Sequence, residues 1–386
     1  MRSEKLPLYR PWIGEEEIAA VAEVLRSGWI GMGRRVEEFE HRFAERIGVP
    51  HAIAVNSCTA ALHLALVAAD IGPGDEVVTT PFTFTATAEA ILHAGAVPRF
   101  VDIEPETLNL DPGAVAEAIG PRTRAILPVH LAGHPCPMDR LEELADRHGL
   151  FLLDDAAHAL PARWKDRPIG AWGSASAFSF YPTKNLTTIE GGMVTTSNSA
   201  LAERVRRIRY HAFSRDTWQR QSAEQPWAYD ILEQGYKCNM TDVQAAVGLV
   251  QLEKLEAGMR IRRRIVAQYR RAFAPLELFD LPQEPEEGEH AWHLYIVRLR
   301  PERLRIGRDR LVAELNRRNI GASVHYIPLH LFTHYQKRCG VRPGDFPRAE
   351  EAFARVLSLP LWPGMSAQDA QDVIAAVQEI VEEFGA

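Results

Sequence analysis

Residues 176–196 read Ser-Ala-Phe-Ser-Phe-Tyr-Pro-Thr-Lys-Asn-Leu-Thr-Thr-Ile-Glu-Gly-Gly-Met-Val-Thr-Thr. Ala175–Phe180 alternates small and aromatic residues, Met193–Thr196 is short and β-prone, and Gly191-Gly192 lets the backbone turn sharply before the second run. The pattern predicts two buried strands joined by a loop that carries Lys184 between Pro182, Thr183 and Asn185. Taken alone, this lysine is either a solvated side chain on a hairpin or a Schiff-base lysine made nucleophilic by partial desolvation.

Outward from this stretch, short apolar runs alternate with helical periodicity. Strands are expected at Ala52–Val55, Glu76–Thr80, Val97–Asp102, Ala125–Val129 and Phe151–Asp154, with helices at Ala60–Ala69, Thr85–His93, Pro112–Ile119 and Asp139–His148 between them. Together with the two strands around Lys184 this makes about seven, and near-uniform apolar strands imply burial on both faces. The fold class is therefore α/β, a mostly parallel sheet with helices on both sides. Before the sheet come helices at Glu15–Ser27, with Ile18, Val21, Ala22 and Leu25 inward, and Arg35–Ile47, with Val36, Phe39, Phe43 and Ile47 inward.

After it, Ala200–His211 is helical, and its Arg204, Arg206, Arg207 and Arg209 read as a solvated face. Ser214–Gln234, holding Trp218 and Trp227, reads as a loop that covers a site or meets a partner. Helices follow at Thr241–Gly258 and Arg260–Phe273, then a proline- and acid-rich stretch at Pro275–Glu289. A strand at Trp292–Arg298, a helix at Asp309–Asn319, a strand at Ala322–Tyr326 and a helix at Ala367–Phe384 complete a smaller α+β unit. The division is residues 1–260 for the N-terminal segment and large domain, and 261–386 for the small one.

The chain has 386 residues, 46% of them hydrophobic and 25% charged, with a net charge of -7. That balance argues against nucleic-acid or membrane-surface binding, since no positive field holds phosphates in general. Met1–Pro11 lacks the apolar core of a signal peptide, and no apolar run suffices to span a bilayer. The four cysteines, Cys58, Cys136, Cys238 and Cys339, form no Cys-x-x-Cys pair. A reduced, cytoplasmic protein without a metal site is expected.

Three loops at the carboxyl ends of these strands carry the chemistry, where open α/β sheets bind ligands. Asn56-Ser57-Cys58-Thr59-Ala60 opens a helix with small and hydroxylated residues, which serves either as a simple cap or as a phosphate cradle. Asp154-Asp155-Ala156-Ala157-His158 ends a buried strand with two carboxylates that need a cation or donors; a pyridinium nitrogen is one such partner, a helix cap another. The third is the Lys184 loop, with Ser179 before it. A cradle, a strand-end acid and a loop lysine in this order meet the needs of pyridoxal phosphate.

At this point the sequence resembles the sugar aminotransferases of the DegT/DnrJ/EryC1/StrS group, within the aspartate-aminotransferase fold type. The resemblance rests on Arg10-Pro11-Trp12-Ile13-Gly14, Ser27-Gly28-Trp29-Ile30, Asn56–Leu62, Asp155–His158, Ser179–Asn185, Tyr236–Asp242 and Val324–His330. It implies that Lys184 binds the cofactor's aldehyde and later shuttles the substrate proton. It further implies that Asp155 pairs with the pyridine nitrogen, that His158 lies near the phenolic oxygen and that Phe84 stacks on the ring. By the same resemblance Cys58, Thr59, Ala60 and Ser179 hold the phosphate, and Asn239 reaches it from a neighbouring subunit, so a homodimer with shared sites is implied.

Trp29, Tyr181, His325, Tyr326 and His330 are the residues implied for sugar contact. The reaction implied is transfer of an amino group from glutamate to a nucleotide-linked ketosugar, most closely at C4 of a UDP-linked 4-keto sugar. C3-acting relatives share much of the pattern. Dehydrating relatives carry histidine where this chain has Lys184, which favours amination over dehydration; a non-catalytic pyridoxal-phosphate-binding regulator is a further alternative. Gly31-Met32-Gly33 departs from the threonines usual after Trp29-Ile30 and leaves the sugar open.

Overall fold

Alternate residues along the strands of the main sheet enter two different cores, the signature of a sheet covered on both faces. The computed structural model describes residues 2–214 and 227–386. Its strands are β1 (His51–Val55), β2 (Glu76–Thr79), β3 (Val97–Phe100), β4 (Thr123–Leu127), β5 (Phe151–Asp155), β6 (Ala175–Ser179) and β7 (Gly192–Thr196). Ile53, Val77, Leu127, Leu153, Ala177 and Val194 face one core, beside the helices Cys58–Ala68 and Ser199–Ile208. Ala54, Val78, Ile126, Leu152, Phe178 and Met193 face the other, beside Arg34–Ile47, Met138–His148 and Asp242–Phe273.

The strand order is β1-β7-β6-β5-β4-β2-β3. The pairs β2/β3, β2/β4, β4/β5 and β5/β6 are parallel, while β7 runs antiparallel to both of its neighbours. The expected seven-stranded, mostly parallel α/β architecture is thus present, with β6 and β7 forming a hairpin. Ser179 pairs with Gly192 at its loop end, so residues 180–191 emerge where the parallel strands end.

Three elements differ from expectation. The helix Asp242–Phe273 is one continuous rod of 32 residues rather than two. Gly258 and Met259 do not break it, since glycine costs only about 1 kcal/mol inside a helix and Gly258 packs beside Pro363 and Trp12. Residues 322–326 make no strand; only Ser323 bridges, to Ser358. The helix Glu15–Ser27 buries Glu17 and Val24, leaving Ile18 at 54% and Leu25 at 56% exposure. Glu17 is drawn inward by Lys254 at 2.9 Å, Gln251 at 2.6 Å and the Gly14 N–H at 2.7 Å.

The C-terminal unit is built on an antiparallel sheet of β8 (Phe279–Asp280), β9 (Tyr295–Leu299) and β10 (Val356–Leu359), backed by Arg308–Arg317 and Ala367–Phe384. The N-terminal segment joins it, with Leu6 bridging Ile320 and Arg2 pairing with Asp369 and Asp372. We propose that the two units divide at 260/261, within the long helix, with residues 2–9 attached to the smaller. The arginines of residues 200–211 are not a simple solvated face: Arg204 and Arg207 clasp Glu233, and Arg209 is buried against Glu40. Of the loop expected at 214–234, the Trp218 portion lies outside the described residues.

Candidate active site

The carboxyl ends of β1, β2, β5 and β6 converge on a cleft of about 390 Å3. At the end of β1, Ser57 caps the helix Cys58–Ala68, its Oγ accepting the Ala60 N–H at 3.1 Å. The first helical turn leaves the preceding N–H groups without intrahelical acceptors, and its dipole favours an anion there. The hairpin passes so close to this turn that a Cβ on Gly192 would lie 2.5 Å from the Ser57 carbonyl and 2.7 Å from the Cys58 nitrogen. Only glycine fits between β7 and the cradle.

Strand alternation sends the two carboxylates at the end of β5 to opposite faces. Asp154 turns away from the cleft and accepts from Ser176 Oγ at 2.7 Å and His130 Nε2 at 3.2 Å. The Cys136 N–H donates to His130 Nδ1, so the proton of that imidazole is on Nε2. Asp155 faces the cleft. Thr87 Oγ1 donates to its Oδ2 at 2.8 Å and the Ala157 N–H to its Oδ1 at 3.1 Å. Since the Thr87 proton goes to the carboxylate, Thr83 Oγ1, 2.9 Å away, donates to Thr87. Burial raises the Asp155 pKa, and the Thr87 and Ala157 hydrogen bonds oppose that rise.

His158 is fixed in the same way. The Ala132 N–H donates to its Nδ1 at 3.2 Å, leaving Nε2 as the proton-bearing nitrogen, 3.3 Å from Tyr326 Oη. Burial, reinforced by Lys184 and His325, holds the ring neutral with a pKa well below the usual histidine range. His293 packs against it with ring centroids 4.4 Å apart. His325 binds Ser358 Oγ at 2.8 Å through Nδ1, and burial lowers its pKa to about 4. Phe84 lies 6.0 Å from the Tyr326 ring across the mouth.

Lys184 projects from the hairpin loop beside these groups. The loop is anchored by Phe180, fully buried between Phe39 and Phe43, whose carbonyl accepts from the Thr188 N–H and Thr187 Oγ1. Desolvation pulls the Lys184 amine down from 10.5 to about 8, against the opposing influence of Cys58 and Asp155. A partly neutral amine at physiological pH is a nucleophile and a proton acceptor.

Of the residues singled out in the sequence, Cys58, Thr59, Phe84, Asp155, His158, Ser179, Tyr181, Lys184, His325 and Tyr326 all line this cleft. Four do not. The Ala60 N–H is taken by the Ser57 cap. Asn239 pairs with Val55 at the rim and receives Lys237 Nζ. Trp29 donates through Nε1 to the Met32 carbonyl and packs on Gly33. His330 is fully buried and bound to Glu350 at 2.9 Å. Tyr9 and Thr83 line the cleft without having been singled out, and Thr87 and His293 support it from behind. A threonine one helical turn beyond Thr83 was the available signal for Thr87.

Residues 11–378, nearly the whole chain, match a single family of aminotransferases. The chain belongs to the DegT/DnrJ/EryC1/StrS aminotransferase family. It is 49% identical over 383 residues to an uncharacterized protein of Methanocaldococcus jannaschii, covering 99% of each chain. It is 47% identical over 382 residues to the spore coat polysaccharide biosynthesis protein SpsC of Bacillus subtilis, covering 99% of this chain and 98% of that one. Among solved structures, the putative sugar aminotransferase Spr1654 of Streptococcus pneumoniae matches in its PMP form with a TM-score of 0.92 at 34% identity, over 98% of this chain and 99% of that one. Its PLP form matches at 0.91 and 33%, with the same coverage.

This member of the DegT/DnrJ/EryC1/StrS family is a pyridoxal-phosphate-dependent aminotransferase. The cleft fits that cofactor. A desolvated amine, a carboxylate held by two donors, an imidazole of fixed tautomer and a helix start opened by small residues lie around one space.

Proposed function

We propose that this enzyme transfers an amino group from glutamate to a ketosugar carried on a nucleotide, at C4 of a UDP-linked 4-keto sugar. The observation that carries the reaction class is Lys184 itself, a desolvated amine with a pKa of about 8 facing Asp155 across the cleft. The names of Spr1654 and SpsC, a putative sugar aminotransferase and a polysaccharide biosynthesis protein, support a sugar acceptor. His325 and Tyr326, brought over the cleft by the smaller unit, are the proposed sugar contacts together with Tyr181.

When bound, pyridoxal phosphate supplies the electron sink that lets the proton on the amine-bearing carbon leave. Lys184 Nζ, once freed as a neutral amine, would accept that proton and carry it between the two carbons that flank the nitrogen. Asp155, whose anionic form the Thr87 and Ala157 hydrogen bonds favour, would hold the pyridine nitrogen protonated. His158 would offer its Nε2–H to the cofactor's phenolic oxygen. Ser179, Thr59 and the backbone at Cys58 would hold the phosphate, assisted by the helix dipole.

Homodimerisation belongs to the same proposal. Ile13, Ile18, Leu25 and Ile30 leave a run of apolar side chains exposed near the N terminus, a surface that suits a partner. Lys184 is the one lysine or arginine lining the cleft among the described residues, so phosphate groups gain from cations or amides of a second copy, Asn239 among them. A cytoplasmic setting is proposed with it; among the described residues no helix is long and apolar enough to cross a membrane.

Incubating the enzyme with glutamate and a panel of nucleotide ketosugars, then locating the new amine by NMR, tests the assignment. An amine at C4 of a UDP sugar supports it. An amine at C3 moves the site of attack, and a deoxygenated product without nitrogen overturns the transaminase reading.

A further inference from the structure

Behind Lys184 a second, smaller cavity of about 10 Å3 is lined by Thr183, Lys184, Asn185, Arg10, Lys254 and Arg262, among others. Arg262 is only 2% exposed. Its Nη1 donates to the carbonyls of Trp292, His293 and Leu361 at 3.1, 3.3 and 2.8 Å. Among the described residues Nε and Nη2 have no hydrogen-bond acceptor, and Arg262 lines this cavity. Among the described residues no carboxylate pairs with Arg262 or with Arg10. Lys254 is already taken by Glu17 and Glu16.

A guanidinium buried without a counter-charge is costly, since burial and pairing normally go together. Carbonyl dipoles satisfy one of its nitrogens and leave the net charge in place. Burial alone drags the Arg262 pKa down to about 9, with no acid to restore it. The space beside it admits one water-sized species. The main cleft, by contrast, offers a dianionic amino donor no arginine among the described residues.

We propose that this cavity is a binding site for a small monoanion, a halide or one oxygen of a carboxylate group, held by Arg262 at its floor and Arg10 at its edge. Because Thr183, Lys184 and Asn185 form one wall, the bound anion braces the lysine loop from behind. Two sources share this chemistry: a resident halide from solution, or a carboxylate of the amino donor reaching past Lys184. The second source rests on glutamate being the donor; the first does not.

Crystals of the holoenzyme soaked in sodium bromide are expected to show an anomalous peak within hydrogen-bond distance of Arg262 Nε or Nη2. Arg10→Ala is expected to weaken halide binding about tenfold, the loss of one charge-assisted contact. In steady-state assays at constant ionic strength, a donor KM that rises with chloride at unchanged kcat assigns the site to the donor's carboxylate. A KM indifferent to chloride, with the bromide peak present, assigns it to a resident ion. No peak in wild-type crystals, together with thermal stability identical in chloride and gluconate, overturns the site. The crystallographic arm needs no turnover, so failure of the proposed sugar reaction leaves it readable.

Discussion

In the cofactor-free protein the Lys184 amine is expected to titrate near pH 8. An ordinary lysine is protonated until pH 10.5, whereas this one, desolvated behind the cleft, falls to about 8. The difference of about 2.5 pH units corresponds to about 3 kcal/mol at 1.36 kcal/mol per unit. At pH 7.5 about a quarter of the amine is then neutral, against about one part in a thousand for an unperturbed lysine. The unfolded chain keeps this proton up to about pH 10.5 while the folded chain releases it at about 8, so native stability is lowest below pH 8 and rises across that window. Lys184→Met removes the charged group. It is expected to stabilise the cofactor-free protein at pH 7 by up to about 3 kcal/mol and to flatten the rise. Pulse acylation with acetic anhydride, read at Lys184 by peptide mass spectrometry from pH 6 to 11, measures the midpoint directly. Urea denaturation of both proteins over the same range measures the linkage. Asp155→Asn, which takes away a carboxylate favouring the ammonium form, should move the midpoint lower still. An acylation midpoint near pH 10, or wild-type and Met stabilities that run parallel between pH 8 and 10, refutes the desolvation argument.

Thr87→Val removes the hydroxyl that donates to Asp155. It should raise the carboxyl pKa and weaken cofactor affinity about ten- to a hundredfold, from a charge-assisted hydrogen bond worth roughly 1.5–3 kcal/mol, with Thr87→Ser restoring both; equilibrium dialysis and the pH dependence of cofactor binding check this. Gly192→Ala sets a methyl group within 2.7 Å of the Ser57–Cys58 backbone. The clash should cost about 1–3 kcal/mol, read by urea denaturation together with loss of cofactor retention. Glu40→Ala strands buried Arg209, and a broken buried pair costs about 3–5 kcal/mol. A variant within 1 kcal/mol of wild type on chemical denaturation, roughly the scale of an exposed ion pair, contradicts that reading.

What the sequence disclosed follows from which signals are local. Lys184, Asp155 and the Ser57–Thr59 turn were legible because each sits at the end of a strand whose apolar run is visible, and a parallel sheet gathers such ends on one edge. The inward face of Arg34–Ile47 was legible because Phe39 and Phe43 recur at helical spacing. Ile18 and Leu25 recur at helical spacing too, yet they point outward, since Lys254 and Gln251, far along the chain, make burial of Glu17 the better arrangement. His330 shares a motif with His325 but meets Glu350 instead of the cleft. Tyr9 and His293 belong to segments whose relation to Lys184 exists only once the smaller unit docks, so nothing in their neighbouring residues announces it.

The hairpin that carries Lys184 also has a kinetic meaning. Ser179 and Gly192 are near neighbours along the chain, whereas Val55 must find the same Gly192 from the far side of five intervening strands of the sheet. Closing a short loop loses less entropy than closing a long one, and distant pairings form late. The scaffold of the reactive amine is therefore the early-forming part of the site, and the anion cradle at the end of β1 a late one. The catalytic centre is completed only when the most non-local strand pairing in the sheet has closed.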